Sequence, residues 1–158
     1  MLSIDKGSAA AWSTRRLLET FWDVDVDGFE GAFDDAREYQ ATVLWNLVIV
    51  AGGTIDAIAT ATDQSLDDLL PSVWLQLAQD GDTEESALMR AMVTAWSSRA
   101  TGDPAALIEQ GALADANQVA LVMNFAATTN ILIHMLCEIT TEQFTSATKR
   151  LWELLGTA

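Results

Sequence analysis

Asp23-Val24-Asp25-Val26-Asp27-Gly28-Phe29-Glu30-Gly31-Ala32-Phe33-Asp34 is the stretch on which the reading of this chain turns. Carboxylates at every second position through Asp23, Asp25 and Asp27, followed at once by Gly28, suit a loop that curls around a hard cation, with glycine permitting the sharp bend. In that loop Phe29 supplies a backbone carbonyl, and Asp34 stands where the closing ligand belongs, a shorter acid than the usual Glu. Glu30 falls where a buried aliphatic is expected. The other reading of the same residues is an acidic turn between two helices.

Outward from this stretch, apolar residues recur at helical spacing. Leu17, Leu18, Phe21 and Trp22 form a stripe before it, and Tyr39, Val43, Leu44, Leu47 and Val48 form another after it. The second helix is expected to stop at Gly52-Gly53, with a short segment Ile55 to Thr62, a turn near Asp63 and a cap at Ser65. Leu69, Val73, Trp74 and Leu77 mark the next helix, where Pro71 is tolerated only in the first turn. Gln79 to Thr83 reads as a linker, dividing a single domain into two lobes, roughly 1–80 and 81–158. Beyond it, Leu88, Met92, Val93 and Trp96 share a helical face, and Asp103-Pro104 caps and starts another helix. Val119 to Cys137 reads as a buried helix, kinked or broken where Asn124, Thr128, Thr129, Asn130 and His134 interrupt it. Thr140 with Gln143 makes a capping box for a last helix with Phe144, Ala147, Leu151, Trp152 and Leu155 on its apolar face, ending at Gly156. The fold class is therefore all-α, about eight helical segments arranged as helix-loop-helix pairs with little or no β structure.

Composition limits the partners. The chain has 158 residues, enough to bury a core without disulfides, and a formal charge of -15 that repels nucleic acid and anionic membranes alike. Asp5 and Lys6 stand where a signal peptide needs an apolar segment, and the lone Cys137 fits a reducing cytoplasm. The longest uninterrupted apolar runs fall short of a bilayer span, so no transmembrane segment is expected.

With its entering and leaving helices, the Asp23 to Asp34 stretch resembles the loop of the EF-hand family, more narrowly the calerythrin-like four-hand proteins of bacteria. Weaker echoes follow: Ser65-Leu66-Asp67-Asp68-Leu69-Leu70 is similar to the back half of a second loop, Gly102 sits like the bend of a third, and Ile139 to Phe144 is similar to the exit of a fourth. The resemblance implies at most one bound calcium ion, held by Asp23, Asp25, Asp27, Phe29 and Asp34. The other three loops lack ligands, since counting back from Gln143 places Leu132, His134 and Leu136 at ligand positions and the third loop would offer Ser97, Arg99 and Thr101. It also implies a bowl between the hands in which some members enclose a hydrophobic small molecule.

Six tryptophans and several methionines are available to line such an interior. Tyr39, Trp45, Trp74, Trp96, Met123 and Asn130 are the candidate ligand-binding residues, and His134, the only histidine, is the candidate proton-transfer group. A packed core histidine is the simpler alternative for His134, and Cys137 reads as a small hydrophobe. No zinc spacing, phosphate loop or catalytic triad pattern is visible. The expected function is binding of a hydrophobic small molecule, extending to a cofactor-independent cyclase or isomerase. The alternatives are a calcium buffer or sensor working through one hand and a module that presents an apolar groove to a partner helix.

Overall fold

The two most apolar stretches of the chain each form one unbroken helix of 23 residues, and these two helices pack on each other at the centre of the structure. The computed structural model describes residues 4–77, 89, 93 and 118–157. Among them are six α-helices: α1 (Ala9–Trp22), α2 (Val26–Ala36), α3 (Gln40–Thr62), α4 (Leu66–Leu77), α5 (Gln118–Thr140) and α6 (Phe144–Leu155). The two-residue segments β1 (Ile4–Asp5) and β2 (Gly156–Thr157) pair in parallel and tie the two ends of the described chain together, with Ile4 fully buried. The all-α class therefore holds. The Gln79 to Thr83 linker, Trp96, Gly102 and Asp103-Pro104 lie outside the described residues, whereas Met89 and Val93 belong to the same buried core as α3 and α5.

Helix α3 does not stop at Gly52-Gly53. It continues to Thr62 and closes at Asp63, whose left-handed backbone (φ 55°) lets Asp63 N–H donate to Thr60 and Gln64 N–H to Ala59, at 3.3 and 2.9 Å. Glycine weakens a helix by about 1 kcal/mol relative to alanine, but tertiary packing overrides that preference here. A β-carbon at Gly53 would lie 2.6 Å from Leu155 Cδ1, so the bare backbone admits α6 at close range. Pro71 likewise sits inside α4, beyond the first turn where the sequence reading confines it.

Helix α5 is also continuous through its polar residues, for a local reason. Thr129 Oγ1 donates to the Phe125 carbonyl at 2.7 Å and Asn130 Nδ2 to the Ala126 carbonyl at 3.1 Å, so both side chains bond back one turn along their own helix. The expected capping box at Thr140 and Gln143 does not form. Thr140 is the last residue of α5, and Gln143 caps α6 with extended backbone and no side-chain bond. The turn is held instead by Glu142, whose carboxylate takes a forked bond from Arg150; that bond holds the acid below the usual carboxylate range. The α6 face is buried at Phe144, Ala147, Leu151 and Trp152, and the helix ends at Gly156.

By length and composition, Thr42–Thr62 and Leu121–Thr140 are each apolar enough to cross a bilayer, with mean hydropathies of 1.6 and 1.3. In this structure 78% of the first window and 50% of the second are buried inside the protein.

Candidate functional site: an apolar cleft along the second helix

The Asp23 to Asp34 segment is a tight turn followed by a helix, and Asp25 and Asp27 in it have local structural roles. Helix α1 ends in a Schellman pattern in which Asp25 N–H donates to Thr20 at 2.9 Å and Val24 N–H to Phe21 at 3.3 Å. Asp25 then caps α2, its Oδ1 accepting from Gly28 N–H at 3.0 Å, and Asp27 lies in the first turn, where a negative charge favours the helix dipole. A β-carbon at Gly28 would meet the Asp25 carboxylate as it stands, so a larger residue there requires the capping side chain to shift. The twelve-residue loop is thus replaced by helix from Val26 onward. Asp27 and Asp34 are separated by about 10 Å of helix rise, so the carboxylates do not converge on one point. Among the described residues no three His, Cys, Asp or Glu side chains are grouped to hold a metal ion.

Helix α2 distributes its residues unusually. Its fully buried positions are Ala32 and Ala36, while Phe29 and Phe33 are half-buried against the core and, with the exposed Val26, line an open cleft of about 670 Å³. Thr20 and Phe21 from the end of α1, Val24 from the turn and Met123 from the start of α5 complete the apolar walls. Phe21 and Phe29 meet edge to face, with ring centres 5.9 Å apart. Asp25, Glu30, Asp34 and Arg37 supply the charged lining. Arg37 lies over the Phe33 ring at 5.6 Å and within 3.7 Å of Asp34. Val24 is 80% exposed, Val26 64% and Met123 47%, so these apolar groups meet solvent. A smaller recess of about 370 Å³, which includes Trp12 and Tyr39, shares Asp34 and Arg37 with the cleft.

Of the residues expected to bind a ligand, Met123 lines this cleft and Tyr39 lines the adjoining recess. Trp45 and Trp74 are half-buried against the core, and the buried indole nitrogen of each has no hydrogen-bond partner among the described residues. Asn130 is buried on α5. Of the residues read as metal ligands, Asp25, Phe29 and Asp34 line the cleft; Asp23 and Asp27 do not. His134 is neither in the cleft nor in the core: it is half-exposed, its Nε2 lies 3.1 Å from Glu138, and its ring tilts against Trp22, which stacks on Phe144 at 4.3 Å. Cys137 is buried, and burial first, then the charge of Glu142, push its thiol up, which disfavours a thiolate. Phe21, Val24, Val26, Glu30, Phe33 and Arg37 escape the sequence reading. No spacing signal separates them, because Phe29, Ala32, Phe33 and Ala36 share one helical face.

Val24 is strained. Its φ of 55° places a β-branched side chain in the left-handed region, where glycine or asparagine is the usual occupant. Val24→Asn is expected to stabilise the protein by about 1 kcal/mol, raising the melting temperature by roughly 2–4 °C in a thermal scan. An unchanged or lowered melting temperature would show that the turn is not held in this conformation.

The chain matches no protein-family model, no curated protein and no solved structure.

Proposed function

We propose that this protein is a binding module whose cleft along α2 takes an apolar ligand. One observation carries the reading: Phe29 and Phe33 of α2, only half-buried against the core, line an open cleft together with the exposed Val24, Val26 and Met123. Covering a side chain the size of Phe is worth about 1.5–3 kcal/mol, so a face of this kind gains most when something covers it. The volume falls within the ~300–1,000 Å³ of ordinary ligand sites. On this proposal the ligand lies at the edge of the helical body, away from Trp45, Trp74 and Asn130. His134 stands apart from the cleft, so the reading assigns it no proton transfer and proposes binding without turnover.

Titration with the neutral fluorescent dye Nile red tests it. Saturable binding is expected, weakened roughly tenfold or more by Phe33→Ser, the loss of one buried aromatic contact. Val26→Ser is the control for folding: Val26 is largely exposed, so its replacement leaves the melting temperature within a few degrees of the parent yet still weakens the dye. Dye binding indifferent to both substitutions would refute the assignment.

A further inference from the structure

We infer that the natural occupant of the cleft is an amphipathic helix of a partner protein, about three turns long, with basic residues flanking its apolar stripe. This rests on the binding reading above and adds the shape and charge of the ligand.

The shape argument starts from α2. The cleft is lined from Asp25, the residue that caps the helix, to Arg37, just past its end, by residues on a single face. Val26, Phe29 and Phe33 follow the i, i+3, i+7 spacing, and Glu30, Asp34 and Arg37 run beside them at the same pitch. Eleven residues of helix give a trough about 16 Å long. That length accommodates the i, i+3, i+4, i+7 stripe of a second helix laid along α2, with Phe21 and Met123 closing its far side.

The charge argument selects the partner. Six carboxylates fall between Asp23 and Asp35, and three of them, Asp25, Glu30 and Asp34, line the cleft. Arg37, the one cation of the lining among the described residues, is already placed over Phe33 and beside Asp34. It shows the arrangement that a guanidinium or ammonium from outside would adopt here, with an aromatic face below and a carboxylate beside it. A second copy of this chain is a poor occupant, since each copy carries a formal charge of -15 and presents the same acidic rim. A helix with Lys or Arg on either side of a Leu stripe matches both the floor and the rim.

The probe is a fluorescently labelled peptide of about sixteen residues with Leu at i, i+3, i+4 and i+7 and Lys elsewhere, followed by anisotropy against the full chain. Two companions are needed: a scramble of identical composition that cannot form the stripe, and the same pattern with Glu in place of Lys. The patterned Lys peptide is expected to bind at least about tenfold more tightly than either, and to weaken as salt rises. Phe33→Ser should remove that preference. Glu30→Lys combined with Asp34→Lys should weaken the Lys peptide and strengthen the Glu peptide, because the swap restores complementarity.

Equal binding of the patterned and scrambled Lys peptides would reduce the effect to bulk charge and overturn the inference. Nile red binding without any peptide preference would also overturn it while leaving the cleft as a small-ligand site, as would dodecyltrimethylammonium binding as tightly as the helix. Failure of both dye and peptide would remove the binding reading itself. A concentration-dependent dimer broken by Val26→Ser would make a second copy the occupant and overturn the basic partner.

Discussion

Phe125→Ala is expected to lower the unfolding free energy by about 3–5 kcal/mol, the range for removing a fully buried aromatic side chain. Phe125 has no exposed surface and is among the largest fully buried side chains, on the helix that, among the described residues, makes the most extensive contact with α3. Its removal forfeits both the transfer free energy of the ring and the contacts of the atoms left lining the void. A domain of this size has a total stability of about 5–15 kcal/mol, so this one change can consume a large share of it. Urea denaturation followed by circular dichroism measures the effect, with the midpoint falling and the slope unchanged. Met123→Ala, two residues away but 47% exposed at the cleft, gives the contrast: a loss of roughly 0.5 kcal/mol or less. Similar losses at the two positions would mean that α5 is not seated on α3 by the face described.

Residues 123 and 125 also show what was legible in the sequence. The apolar faces of α1, α3 and α6 followed from spacing in part: Leu17 and Leu18, Val43, Leu44, Leu47 and Val48, and Phe144, Ala147, Leu151 and Trp152 pack inward, whereas Phe21, Trp22 and Tyr39 of the expected stripes are exposed. On α2 the rule is only half met: Phe29 and Phe33 share a helical face with the buried Ala32 and Ala36, but they are only half-buried against the core and also line the cleft. Alternating aspartates before a glycine carried an equally ambiguous signal. A cation loop and a helix cap place acids at the same spacing, and what separates them is whether Asp25 accepts from the backbone of Gly28, a bond that no spacing reveals. At Gly52-Gly53 local propensity pointed to a stop, and the fit of Leu155 against Gly53, a contact across a hundred residues of sequence, decided otherwise. Tertiary contacts of that kind are the part that a single sequence leaves unwritten.

Thr14→Val is expected to destabilise the protein by about 1–3 kcal/mol although it removes no volume, because it leaves a buried amide without its acceptor. Asn46 is 4% exposed in the middle of the most apolar stretch of α3, and its Nδ2 donates to Thr14 Oγ1 on α1 at 3.3 Å. Thr14 in turn donates to the Ala10 carbonyl at 2.7 Å, so the hydroxyl is both held in place and oriented to receive the amide. Valine has the same shape and no lone pair. The cost is therefore that of desolvating the Asn46 amide without a partner, rather than that of a cavity. The double variant Thr14→Val with Asn46→Leu should recover most of the loss, since two apolar groups of similar shape need no hydrogen bond. A double-mutant cycle in urea measures the coupling, expected between about 0.5 and 3 kcal/mol for residues in contact. Additive effects would mean that the bond contributes nothing to the seating of α1 on α3. A coupling of the expected sign would identify Thr14 and Asn46 as the polar pair that fixes the register of α1, and with it the position of Phe21 at the wall of the cleft.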